Sequence, residues 1–176
     1  MQVKAELAQW LLLRSWDVKD TASKPWPWAD TYVAAQLTVE SLAIKQLVMA
    51  DASGEALAFG PGFIRVPTAH ANHGLAIAAH RDTHFAFLAK LRANDFIDIK
   101  LRSGTRLRYQ VRGYNIIDLR QDFVRTPEPD ELMLVTCYPF ASLQSSTTQR
   151  FVVYAQRAYA QGDWSESNES KPDKST

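Results

Sequence analysis

Cys137 is the only cysteine in the chain, and it sits in Leu134-Val135-Thr136-Cys137-Tyr138-Pro139-Phe140, an apolar and β-branched run that meets a Tyr-Pro turn. Pro139 withholds a ladder donor, so the run reads as a strand that stops just beyond the thiol. Free cysteine is among the most often buried residue types, and an inert core thiol is one reading. The other is a nucleophile displayed where a strand ends. His80 stands in the same relation to its own segment, since Gly74-Leu75-Ala76-Ile77-Ala78-Ala79 is a β-like run that ends at the histidine. If the two strands are neighbours running the same way, imidazole and thiol emerge together at one rim. Such a pair is the minimum for acyl transfer: a thiolate attacks a carbonyl and an imidazolium protonates the departing amine. The developing oxyanion needs a donor. Arg150 lies thirteen residues after Cys137, at the head of Arg150-Phe151-Val152-Val153-Tyr154. It offers a permanent charge and a fixed fork of N–H groups, although the commoner fate of a single arginine is a surface salt bridge.

The four histidines fall close together, at 70, 73, 80 and 84. His70 and His73 are spaced i, i+3, and His80 and His84 i, i+4, so a zinc site shared with Cys137 can be drawn. Two features oppose it. The stretch Thr68-Ala69-His70-Ala71-Asn72-His73-Gly74 has loop composition, and a strand ending at His80 does not keep the helical spacing that would bring His84 alongside. The sequence is therefore read with no metal and no cofactor.

These groups need a frame. From Tyr32 onward, β-like runs of about five to eight residues alternate with turn signals, which favours an antiparallel sandwich or barrel. Strands are expected over 34–39, 44–49, 75–79, 96–101, 107–113, 116–119, 132–136 and 151–156. The clearest alternation is Arg106-Leu107-Arg108-Tyr109-Gln110-Val111-Arg112, apolar on one face and polar on the other, and Ser103-Gly104 before it signals a hairpin. Helical spacing is limited to 84–91, to 55–59 and to the first seventeen residues, where Leu7, Trp10, Leu11 and Leu13 fall near a 3.6-residue period. That N-terminal helix either packs on the domain or, given Trp10 and Trp16, lies at a membrane interface. Pro25 and Pro27 break it into an extended connector. Past Gln161 the chain is polar and Ser-rich, and a disordered tail is expected. The organisation is thus an N-terminal amphipathic helix and Pro/Trp connector over 1–29, a single β domain over 30–160 and a tail over 161–176.

Twenty basic and nineteen acidic side chains leave a net charge of +1, which argues against a nucleic-acid partner. No stretch reaches the roughly 18 apolar residues of a membrane span. One cysteine excludes an internal disulfide and leaves the compartment open.

Three segments, "AIAAHRDTHFAFLAKLRANDFIDI", "LMLVTCYPF" and "QRFVVYA", resemble in order and spacing the histidine, TLxTC and arginine segments of the sortases. The similarity covers about residues 30 to 157, and the "HRDTHF" and "TCYPF" forms are most similar to the group found in Gram-negative proteobacteria, near class D. The resemblance implies an all-β fold, an eight-stranded sortase-type β-barrel with short connecting helices and an N-terminal helix. It implies a cysteine transpeptidase that cleaves an LPXTG-like C-terminal sorting signal on a secreted protein through a thioester and passes the acyl group to an amine. By motif match, Cys137 takes the place of the nucleophile, His80 of the catalytic histidine and Arg150 of the arginine, while Thr136 matches a threonine that lines the substrate pocket. Ala79 stands where many sortases carry glycine. The resemblance also implies membrane anchoring, with action at the periplasmic face of the inner membrane. Read from residues alone, a cysteine peptidase using water and a non-catalytic peptide- or metal-binding barrel stay open beside it.

Overall fold

The computed structural model describes residues 10–16, 30–64, 74–141 and 147–159. A short helix, α1, covers residues 10–16. Eight strands follow: β1 (Val33–Val39), β2 (Ile44–Met49), β3 (Gly62–Phe63), β4 (Leu75–Ala78), β5 (Phe96–Leu101), β6 (Arg106–Asp118), β7 (Glu131–Tyr138) and β8 (Gln149–Arg157). They close in the order β1-β2-β3-β4-β7-β8-β6-β5. Full closure leaves no sheet edge exposed, which is how a small all-β domain avoids strand addition by other chains.

The expected barrel is present, with differences that have local causes. Two of its pairings, β2 with β3 and β4 with β7, are parallel. Each needs a crossover. Between β2 and β3 that crossover carries α2 (Gly54–Leu57), whose N-terminus is capped by Ser53 accepting from the Ala56 amide at 3.2 Å. Strand β3 was not anticipated, because two residues are too few to show a period. Its Gly62 is required sterically: a Cβ there would collide with the Asp51 carbonyl. The two strands expected over 107–113 and 116–119 are one strand, β6, whose register shifts between Val111 and Gly113. The shift is a bulge that interrupts the alternation and so hides the continuity from a periodicity reading. Helical spacing over 84–91 corresponds to a 3₁₀ segment, Ala86–Lys90, which buries Phe87 and Leu88. Gly104 at φ 93° makes the β5–β6 hairpin turn.

Strand alternation divides the apolar side chains into two layers. Leu75, Ile77 and Ala79 join Leu132, Leu134, Phe151, Val153 and Ala155 in the main core inside the barrel. Ala76, Met133, Val135 and Val152 form a second cluster on the outside of β4, β7 and β8, covered by Val124 from the β6–β7 connection. Strand β7 is therefore buried on both faces, which explains its near-continuous apolar sequence. A third cluster seats α1: Leu12 packs with Val33, Met49 and Ala56. Residues 1–9, the Pro/Trp connector and the polar tail lie outside the described residues. Among the described residues, no helix is long and apolar enough to cross a membrane.

Candidate active site

Strands β4 and β7 run side by side in the same direction, with Ala78 opposite Val135. The ladder continues one residue further, since the Ala79 amide donates to the Val135 carbonyl at 3.2 Å. Extending that register by two residues brings His80 level with Cys137. On the other flank, Cys137 is the direct register partner of Arg150 in the antiparallel β7–β8 pair. Neighbouring strands lie about 4.8 Å apart, so the three residues form one row across three strands.

They also share a face. Because Met133, Val135 and Val152 point outward, the two-residue period sends Cys137 and Arg150 outward as well, and Ala76 and Ala78 set the same phase for His80. The phase thus puts the half-buried Cys137 on the outer wall of the barrel and not in its inner core, and the same register carried to the exposed His80 puts that residue on the same wall.

Thr136 follows the opposite phase. It is 3% exposed, faces inward, and its hydroxyl donates to the Ala79 carbonyl at 2.7 Å. That bond ties the C-terminal end of β7 to the residue before His80.

Arg150 has a fixed conformation at the base of the β7–β8 connection, where Nη1 donates to the carbonyls of Thr147 at 2.7 Å and Gln149 at 3.0 Å. Thr147 holds the same loop base through its hydroxyl, which donates to the Tyr138 carbonyl at 2.6 Å and accepts from the Gln149 amide at 3.2 Å. The remaining N–H donors of the guanidinium are on Nε and Nη2.

His84 is the second imidazole near the row. Its carbonyl accepts from Gln46 Nε2 at 2.8 Å, and burial, reinforced by repulsion from His80, holds its pKa below the ordinary histidine value. It is a neutral group at neutral pH. Among the described residues no cluster of three or more His, Cys, Asp or Glu side chains forms a metal site, and His70 and His73 lie outside them.

A cavity lies on the same outer face, at the other end of β4 from the row. Ile64, Gly74, Ala76, Val124, Arg125, Thr126 and Pro127 line this mostly apolar cavity of about 210 Å³. Its wall, the β6–β7 connection, is fixed by Glu131, which accepts from Arg125 Nη1 at 2.7 Å, from Arg125 Nη2 at 2.6 Å and from the Glu128 amide at 2.9 Å. The Arg125 guanidinium also lies 5.3 Å from the Tyr154 ring. Gly74 is required beside it, where a Cβ would strike the carbonyls of Glu128 and Glu131. Sequence reasoning missed Glu131, Arg125 and Thr147, and weighed His84 only as a metal ligand. Only Glu131 left a trace, as a lone carboxylate at the head of an apolar run.

The family described as Sortase domain matches residues 37–158, about two thirds of the chain and the whole of the row just described. The chain belongs to the sortase family. Sortases are cysteine transpeptidases in general. Sortase D of Bacillus subtilis (strain 168) is 31% identical over 88 residues, a match that spans 49% of this chain and 43% of that protein. Among solved structures, sortase A from Corynebacterium diphtheriae superposes with a TM-score of 0.64 at 21% identity, covering 90% of this chain and 84% of that one. Listeria monocytogenes sortase A gives a TM-score of 0.60 at 20% identity over 72% of this chain and 88% of that one. At these identities the superpositions speak for the sortase barrel, in agreement with the closed eight-stranded topology.

Proposed function

We propose that this sortase is a transpeptidase of the Gram-negative, class D-like group, acting on an LPXTG-like C-terminal signal of a secreted protein. The single observation that carries the reading is the row of register: the parallel β4–β7 ladder on one side of Cys137 and its direct pairing with Arg150 on the other. Cys137 is the nucleophile, His80 the general acid and base, and Arg150 the oxyanion donor. Thr136 acts by positioning, since its hydroxyl is committed to the Ala79 carbonyl next to His80.

The strand spacing between the apolar cavity and the row supports a substrate of matching length. From the Ala76–Met133 level to the His80–Cys137 level is four residues of strand, about 13 Å at 3.3 Å per residue. An extended four-residue stretch such as Leu-Pro-X-Thr fits that span, with its leucine in the apolar cavity and its scissile carbonyl beside the thiol. The Cys137 thiolate attacks that carbonyl. His80 then protonates the departing amine, leaving a thioester on Cys137. An incoming amine attacks the thioester carbon and gives its proton to the now neutral His80, the C–N bond forms, the C–S bond breaks, and the thiolate is restored. Anchoring at the periplasmic face of the inner membrane is the setting in which such a signal would be met, and the "HRDTHF" and "TCYPF" forms support the Gram-negative assignment.

The test is product analysis by mass after incubation with a library of pentapeptide signals, with and without an amine acceptor. Ligated product is expected with the amine and slow hydrolysis without it. Turnover of the same peptides by the Cys137→Ala protein at the unmodified rate would overturn the reading, and hydrolysis alone at saturating amine would leave a cysteine peptidase in its place.

A further inference from the structure

On the outer wall of β1, β2, β5 and β6, away from the row of Cys137, Lys45, Lys100, Arg106 and Arg108 line a shallow groove of about 640 Å³ against two carboxylates, Glu40 and Asp98. Arg108 engages Asp98 in a two-bond fork at 2.9 and 3.1 Å. Lys45, Lys100 and Arg106 are then left facing one acid, Glu40. From β6 across β5 and β1 to β2 the groove is three strand spacings wide, about 14 Å.

The chain leaves the barrel at this groove. Strand β8 runs antiparallel to β6 with Arg157 opposite Tyr109, and the pairing continues one residue further, since the Ala158 amide donates to the Arg108 carbonyl at 2.8 Å. Beyond Ala158 the chain is therefore heading along β6 towards Arg106. The Arg157 guanidinium lies 5.7 Å from the ring centres of both Tyr109 and Tyr159, which holds that exit in place. Downstream, residues 160–170 carry three acids, Asp163, Glu166 and Glu169, and no lysine or arginine.

We infer that the basic groove is the docking surface for the chain's own acidic segment, Asp163 to Glu169. Length permits it. Asp163 is five residues beyond Ala158, a reach of up to about 17 Å, and the six steps from Asp163 to Glu169 add about 20 Å, more than the width of the groove. Charge selects it, because three carboxylates meet three cations that the barrel leaves with a single acid. Tethering favours this segment over a free acidic partner. Exposed ion pairs are individually weak, whereas a segment joined to the barrel at Ala158 meets the groove at an effective concentration of order millimolar. Once docked, the segment neutralises the groove and keeps other polyanions out of it. The inference is independent of the acyl-transfer reading, because it uses neither Cys137 nor its row.

The experiment is zero-length carbodiimide cross-linking of the full chain, read by peptide mass mapping on an equal mixture of unlabelled and isotope-labelled protein. Cross-links from Asp163, Glu166 or Glu169 to Lys45 or Lys100 are expected, within single chains, at several times the yield to Lys90, an exposed lysine outside the groove. Their yield should fall with added salt, since the Debye length shrinks from about 10 Å at 0.1 M to about 3 Å at 1 M. Arg106→Glu leaves both reporter lysines in place and should lower their cross-links severalfold. Neutralising the segment with Asp163→Asn, Glu166→Gln and Glu169→Gln together opens the groove, and binding of heparin, the polyanion probe, should tighten severalfold. Unchanged thermal midpoints establish that the variants are folded. Cross-links spread evenly over Lys45, Lys90 and Lys100, cross-links that join labelled to unlabelled chains, or a yield unaffected by salt or by Arg106→Glu would each overturn the inference. So would heparin binding that the neutralised segment leaves unchanged.

Discussion

Replacing Thr136 with valine removes one hydroxyl from the inside of the barrel and leaves side-chain shape almost unchanged. The bond lost is the 2.7 Å contact to the Ala79 carbonyl, which fixes the end of β4 against β7 immediately before His80. Losing a buried hydrogen bond and leaving its acceptor with less compensation costs about 1 to 2 kcal/mol, so the thermal midpoint should fall by roughly 4 °C for a chain of this size. The effect on catalysis follows from position, since Thr136 faces away from Cys137. A displacement of about 1 Å between reacting groups can cost on the order of a hundredfold, and a loosened strand end should cost roughly tenfold in the rate of acylation. The assay is burst kinetics with a sorting-signal peptide, run beside thermal unfolding on Thr136→Val and Thr136→Ser. Serine keeps the hydroxyl and should recover most of both quantities. A valine variant that loses stability but acylates at the wild-type rate would refute the idea that this bond positions His80.

Glu131→Gln weakens the fork to Arg125 and should cost about 2 kcal/mol of stability after allowance for the exposure of Arg125, with KM for the donor peptide rising more than kcat falls, because the wall of the apolar cavity and not the row is disturbed. Arg150→Lys keeps the charge but loses the planar fork and its bonds to Thr147 and Gln149, and acylation should drop on the order of a hundredfold. His84 gives a pH signature. The unfolded chain takes up a proton there near pH 6.5 and the folded chain only at lower pH, so acidification below about 6.5 favours unfolding. Plotting the thermal midpoint against pH should show that decline, and His84→Gln should make it shallower.

The candidate site could be drawn from the sequence because strand ends announce themselves. An apolar run that stops at His80, another that stops at Cys137 before Pro139 and a third that starts at Arg150 are local patterns, and each marks a position on a rim. What they could not carry is that β4 and β7 are parallel neighbours, a fact fixed by the path of β5 and β6 around the barrel between them. The continuity of β6 was hidden by the bulge at Val111–Gly113, and β3 by its two-residue length. Thr136 shows the limit differently. Its motif implied a place in the substrate pocket, while the two-residue period of the strand turns it inward, to the carbonyl of Ala79. Glu131 and Arg125 were invisible for a physical reason: a pairing across six residues of irregular connection leaves no periodic signature.

Rapid-quench mass spectrometry of the intact protein with a sorting-signal peptide, followed by peptide mapping, tests the convergence of sulfur, imidazole and guanidinium most directly. An acyl adduct that forms before free product, maps to the fragment containing Cys137 and accumulates more slowly in His80→Ala and Arg150→Ala proteins is the predicted result. Peptide cleavage with no adduct on Cys137, or an adduct that forms equally fast without His80 and Arg150, would contradict it.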